Sequence, residues 1–134
     1  MDRWKVSSDW DDYDIKTNAT LKQEYNTSFK FKDRILDNVH GYIELTGVER
    51  DIIDLPVFSR LQSIKQLSLV NWVFPGAEHT RYIHSLGVMY LADQMAIQLG
   101  FNQPADRQMI RLAALLHDIG HFPLSPSFVA NKYI

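Results

Sequence analysis

The 134-residue sequence contains no cysteine, which excludes a disulfide framework and any thiolate metal centre. No apolar run approaches the roughly 20 residues of a membrane span. The opening Met1-Asp2-Arg3-Trp4-Lys5 lacks the apolar core of a secretion signal, so a cytoplasmic setting without membrane contact is expected. Charge of one sign is also scarce. A formal net charge of -2 gives no general argument for nucleic acid or an anionic membrane as partner. Internal repeats and low-complexity tracts are absent, which excludes a solenoid. These absences leave an ordinary domain, long enough to bury a sizeable core.

What the sequence does have is histidine beside carboxylate. His117 and Asp118 are adjacent in Leu115-Leu116-His117-Asp118-Ile119-Gly120-His121, and His84 lies upstream in His79-Thr80-Arg81-Tyr82-Ile83-His84-Ser85. Two imidazoles and one carboxylate suit a divalent metal with positions left for substrate.

Spacing brings these residues to one level. Arg81 to Leu99 reads as a helix ended by Gly100, with His84, Val88, Leu91, Met95 and Leu99 on one face. A second helix starts near Pro104 or Ala105 and is ended by Gly120, with Ile110, Ala113, Ala114 and His117 on its apolar side. The short connection between them makes the two helices antiparallel neighbours. His84 lies about 16 residues before that connection and His117 about 13 after it, roughly 24 and 20 Å along their axes. Both histidines therefore reach the same end of the hairpin. Asp118 stands at a helix C-terminus, where the macrodipole disfavours an anion and a cation would be welcome. Spacing alone leaves a metal site and a pair of hydrogen-bonded core histidines about equally open.

Elsewhere, residues 1–30 read as a polar, acidic arm around Asp9-Trp10-Asp11-Asp12-Tyr13-Asp14. Val39 to Leu45 suggests a short β-hairpin turning at Gly41. Val48 to Asp54 reads as a short helix, and Pro56 opens another through Leu69 with Phe58, Leu61, Ile64 and Leu67 inward. Arg60 and Lys65 are then expected to face outward unless they meet a phosphate. Phe74-Pro75-Gly76 is a turn. The fold class is all-α, a mostly helical bundle, with the short hairpin near its N-terminus.

Two stretches together resemble a known family. They are Val73-Phe74-Pro75-Gly76-Ala77-Glu78-His79-Thr80-Arg81-Tyr82-Ile83-His84-Ser85-Leu86-Gly87-Val88 and Leu116-His117-Asp118-Ile119-Gly120-His121-Phe122-Pro123. They are similar to the HD-domain phosphohydrolases, within them to the deoxynucleotide triphosphohydrolase branch that includes the animal SAM-and-HD-domain protein. Asp37 to Leu45 and Ile53 to Leu61 resemble the same branch. The resemblance implies a hydrolase that cleaves a deoxynucleoside triphosphate to deoxynucleoside and triphosphate. It implies that His84, His117 and Asp118 hold a divalent ion (Mn, Fe, Zn, Ni or Mg). By the same resemblance His121 transfers a proton to the leaving oxygen, Arg81 contacts substrate phosphate, and Gln66 hydrogen-bonds the sugar hydroxyl. Asp54 corresponds to a residue that reads an activating nucleotide, although Ser59 and Gln62 replace longer or basic contacts of regulated members.

The departures are specific. The family's fourth ligand, a downstream aspartate, has no counterpart here, and Pro126 in Pro123-Leu124-Ser125-Pro126 stands where many relatives carry a histidine. Residues 31–134 are therefore expected to be the leading portion of an HD domain. Alternatives are an inactive nucleotide-binding or regulatory module, or one subunit of a split enzyme. The apolar set Phe122, Leu124, Phe128 and Val129 would then meet a partner, in a homo-oligomer or on a complementary chain.

Overall fold

The computed structural model describes residues 29–123. Residues 1–28 of the acidic arm, Pro126, and Leu124, Phe128 and Val129 of the expected apolar set lie outside them. Among the described residues, strands β1 (Phe31–Asp37) and β2 (Gly41–Thr46) form one antiparallel hairpin. Four α-helices follow: α1 (Gly47–Asp54), α2 (Pro56–Ser59), α3 (Arg81–Gln98) and α4 (Pro104–Leu116). Short 3-10 turns occupy Arg60–Ser63 and Val70–Trp72. The mostly helical class holds.

The hairpin begins earlier than its sequence pattern suggested. β1 lies upstream of Val39 and is exposed along most of its length, so it carries little of the alternation that marks a half-buried strand. Asp37 makes the turn: its Oδ1 accepts from the backbone N–H of Val39 at 2.9 Å and of His40 at 2.8 Å. Gly41 leaves the turn at φ 73°, a conformation cheap only for glycine. Ile43 and Leu45 of β2 are fully buried and open the core, which Ile53, Phe58, Leu61, Ile64, Leu86, Met89 and Leu115 complete.

α1 starts with a reciprocal cap. Glu49 N–H donates to Thr46 Oγ1 at 3.4 Å, and Thr46 N–H donates back to Glu49 Oε2 at 2.8 Å. The expected helix from Pro56 to Leu69 is cut short. Ile64 is extended at φ -108°, ψ 113°, because its carbonyl accepts from Arg81 N–H at 2.8 Å and Gln66 N–H donates to His79 O at 3.0 Å. Strand-like pairing with the start of α3 overrides the local helical pattern there. Phe58, Leu61 and Ile64 are buried as expected, but Leu67 is exposed.

α3 and α4 are antiparallel neighbours, and the C-terminal end of α3 and the start of α4 follow the sequence signals. Thr80 Oγ1 accepts from Ile83 N–H, Gly100 leaves α3 at φ 87°, and Pro104 opens α4. α4 ends at Leu116 rather than near Gly120, and residues 117–120 continue as turns. The buried stripes are also rotated from the expected ones. On α3 they run through Arg81, Ser85, Leu86, Met89, Asp93 and Ala96; on α4, through Gln108, Arg111 and Leu115. Leu91, Met95 and Leu99 are 49%, 61% and 71% exposed, so the stripe leading away from His84 faces outward among the described residues. Ala113 and His117 are exposed as well.

Charge fills the interior between these helices. Arg111, 2% exposed, donates to Glu49 Oε1 at 2.7 Å, Glu49 Oε2 at 2.8 Å, Asp93 Oδ2 at 3.0 Å and the Glu44 carbonyl at 2.6 Å. Arg107 adds a two-pronged bond to Asp93, each prong 2.8 Å. One guanidinium thus ties β2, α1 and α3 to α4. No helix of the described residues is long and apolar enough to cross a membrane.

Candidate metal centre

Three side chains meet where α3 begins and α4 ends. His84 lies in the first turn of α3, His117 caps α4, and Asp118 is the first residue of the following turn. The His84 and His117 rings lie 5.2 Å apart between centroids. His84 Nε2 is 3.9 Å from Asp118 Oδ2, and His117 Nε2 is 3.5 Å from Asp118 Oδ1. One ligand atom from each residue lies within 4.8 Å of the others.

These donors fit a divalent ion. Bonds of about 2.0–2.2 Å to nitrogen and oxygen span donor pairs up to about 4.4 Å apart; both imidazole–carboxylate separations are shorter, and the three-donor set, within 4.8 Å, closes on an ion by small side-chain rotations. His117 Nδ1 lies 2.7 Å from the Ala114 carbonyl. A carbonyl can only accept, so Nδ1 donates there, and Nε2, 3.5 Å from Asp118 Oδ1, is the nitrogen placed to serve as a ligand. The His84 imidazole is held below its ordinary pKa, chiefly by burial, against the pull of Asp118. It is therefore neutral at pH 7, the form that binds metal.

Asp118 is the hub. Arg81 Nη1 donates to its Oδ2 at 2.6 Å with both side chains almost fully buried, and His121 Nε2 lies 3.4 Å from its Oδ1. Burial acts most strongly on this carboxyl and pushes its pKa up. The Arg81 hydrogen bond and the charges of His117, Arg81 and His121 outweigh it, so Asp118 titrates below the usual range and is an anion at neutral pH.

The other sequence candidates are dispersed. Gln66 is tied by its backbone to His79, and its Oε1 is buried without a hydrogen-bond partner among the described residues. Asp54 pairs with Arg50 at 2.9 Å on an exposed surface, and no contact links it to the histidines. Arg60, expected to face outward, instead reaches inward to the carbonyls of Ile119 and His121. Beside His84 a cleft of about 300 Å3 is lined by Asp37, Val39, His40, Ile83, Gly87 and Leu91, among others. Sequence reading also missed the Arg111 network. Thr46-Gly47-Val48-Glu49 carries the capping-box pattern that could have placed Glu49 at a helix start, and Gln108, Arg111, Leu115 and Asp118 repeat at helical spacing.

Residues 81–133 match the family described as HD domain. The chain is 47% identical over 100 residues to deoxynucleoside triphosphate triphosphohydrolase SAMHD1 of Homo sapiens, covering 70% of this chain and 16% of that protein. It is 46% identical over 91 residues to an uncharacterized protein of Methanocaldococcus jannaschii, covering 68% of this chain and 19% of that one. Among solved structures, a hypothetical protein from Aquifex aeolicus superposes with a TM-score of 0.66 at 34% identity, over 74% of this chain and 26% of that chain. The chain therefore spans less than a fifth of the length of these two curated relatives.

Proposed function

We propose that this chain, which carries HD-domain sequence over residues 81–133, forms the metal-binding half of a nucleotide phosphohydrolase acting on deoxynucleoside triphosphates. The observation that carries this reading is the convergence of His84, His117 and Asp118 within 4.8 Å at the mouth of the α3–α4 hairpin. The SAMHD1 relatives supply the substrate class. When bound, a divalent ion supplies Lewis-acid polarisation of a phosphoryl oxygen and an activated water.

The chain's own residues do the rest. Water adds to the α-phosphorus, the bond from that phosphorus to the sugar oxygen breaks, and the leaving oxygen takes a proton from His121. Imidazole suits that task near neutral pH, and His121 Nε2 lies 3.4 Å from Asp118 Oδ1. Arg81 orients Asp118 through the 2.6 Å bond and keeps its charge at the site. Contact between Arg81 and substrate phosphate, also part of the reading, requires the buried guanidinium to turn outward. Gln66 contributes a buried acceptor for which a sugar hydroxyl is a suitable donor. Asp54, on its exposed surface, has the weaker assignment to a regulatory nucleotide.

The setting proposed is cytoplasmic. The outward stripe of Leu91, Met95 and Leu99 is proposed to be covered by further polypeptide, from another copy or a complementary chain, since large apolar patches mark interfaces. The test is incubation of each deoxynucleoside triphosphate with the protein and manganese, followed by chromatography of products. Equimolar deoxynucleoside and triphosphate from wild type, with none from Asp118→Asn, supports the reading. Release of orthophosphate or diphosphate instead would replace it with a different phosphohydrolase.

A further inference from the structure

The turn that carries His121 is tied to a distant part of the chain through its backbone. Its internal backbone bonds are Ile119 N–H to Leu116 O and His121 N–H to Asp118 O, both 3.1 Å. The carbonyls of Ile119 and His121 point instead to one side chain. Arg60 Nη1 donates to His121 O at 2.8 Å, and Nη2 donates to Ile119 O. The two residues are 61 positions apart in sequence, so the contact is a tertiary strut.

Arg60 is well placed to bear load. It starts a 3-10 turn between Phe58 and Leu61, both fully buried in the core. Its backbone is therefore fixed to the same core that fixes α3 and α4. A guanidinium offers several donors in a rigid fork, so one side chain can meet two carbonyls at once, which a lysine ammonium on its flexible stem does less well. A cation at the end of α4 also complements the helix dipole.

We infer that Arg60 is a positioning residue for the proposed hydrolysis, holding the Ile119–His121 end of the turn so that His121 stands beside Asp118 at the leaving oxygen. The inference rests on the proposed reading of His121 as proton donor. Arg60 touches no substrate and holds no metal; it acts through the backbone of the turn. Its removal leaves His84, His117 and Asp118 in place on α3, the end of α4 and the Arg81 bond. It releases two tertiary hydrogen bonds, those to the carbonyls of Ile119 and His121.

The test compares wild type with Arg60→Met, which keeps the aliphatic stem, and Arg60→Lys. Bound manganese per chain and unfolding midpoint are measured beside turnover, because a merely structural role would lower all together. The expected result is wild-type metal content, kcat lowered about 10- to 100-fold with KM within about twofold, and partial recovery on adding guanidinium ion at non-denaturing concentration. Unchanged kcat in Arg60→Met, or a loss that only tracks the folded fraction, overturns the inference. A separate readout covers the case where wild type itself has no turnover, which would count against the proposed function alone. The His121 ring resonance, assigned through His121→Gln, should shift in Arg60→Met while those of His40 and His79 stay in place. An unmoved His121 resonance would refute the positioning role whatever the activity.

Discussion

Arg111→Met should be among the most damaging single substitutions available in the described fold. The guanidinium makes three bonds to Glu49 and Asp93 and one to the Glu44 carbonyl. Methionine fills comparable volume but leaves Glu49, 0% exposed, with Gln108 and the Thr46 N–H as its remaining partners. Removing one partner of a buried ion pair costs about 3–5 kcal/mol, because the other charge stays behind in a poor solvent. A domain of this kind has roughly 5–15 kcal/mol in total. With a urea m-value of about 1–3 kcal/mol/M, the midpoint should fall by more than about 1 M, or the cooperative transition should vanish. The cost is one of uncompensated charge, so it should be partly reversible. Arg111→Met combined with Glu49→Gln keeps the helix cap, which glutamine also supports, and should be more stable than Arg111→Met alone. Urea unfolding followed by circular dichroism measures all three variants. A loss under about 1 kcal/mol for Arg111→Met, or simple additivity in the double variant, would refute the reasoning. The consequence reaches the site: Asp93 is nine residues from His84 and Arg111 six from His117, about 14 and 9 Å along the helices. The network therefore sets the relation of the two helices that bring the histidines together.

Two further outcomes are expected. Burial acts most strongly on Asp93 and upward, but the hydrogen bonds and charges of Arg107 and Arg111 outweigh it and hold its carboxyl below the usual value. Its contribution to stability is complete above the unfolded carboxylate value of about 3.9 and is lost as pH falls through the lower folded value. Asp93→Asn should thus be destabilised at pH 6, with the gap to wild type narrowing below about pH 4 in urea titrations; a gap independent of pH would contradict this. Ser68 sits at φ 52°, and its buried Oγ has no partner among the described residues. Ser68→Gly relieves a left-handed non-glycine backbone and removes that hydroxyl, so the melting temperature should rise by an amount reflecting about 1 kcal/mol; a lower melting temperature would sink the idea.

What the sequence disclosed follows from how each signal arises. Gly100 and Pro104 are local punctuation, so the α3–α4 hairpin was legible without tertiary knowledge. His84, His117 and Asp118 were legible as candidates because helical rise converts spacing into position. Arg111, Glu49 and Asp93 were not, because a polar residue reads as exposed unless its buried partner is known. Leu91, Met95 and Leu99 misled in the opposite sense: they are apolar, yet no described element covers them. The break after Ser63 was hidden as well, since it depends on Ile64 and Gln66 pairing with Arg81 and His79. Arg60 looked like a surface charge until the fold brought the 117–121 turn to it.

The most direct measurement is metal content per chain by mass spectrometry, for wild-type protein loaded with manganese and desalted, beside His117→Ala treated alike. His117 is exposed and its Ala114 bond is local, so the substitution tests the ligand set with little risk to the core. The expected result is close to one ion per chain in wild type and little in the variant. Equal metal in both proteins, or none in either, would contradict a centre built from His84, His117 and Asp118.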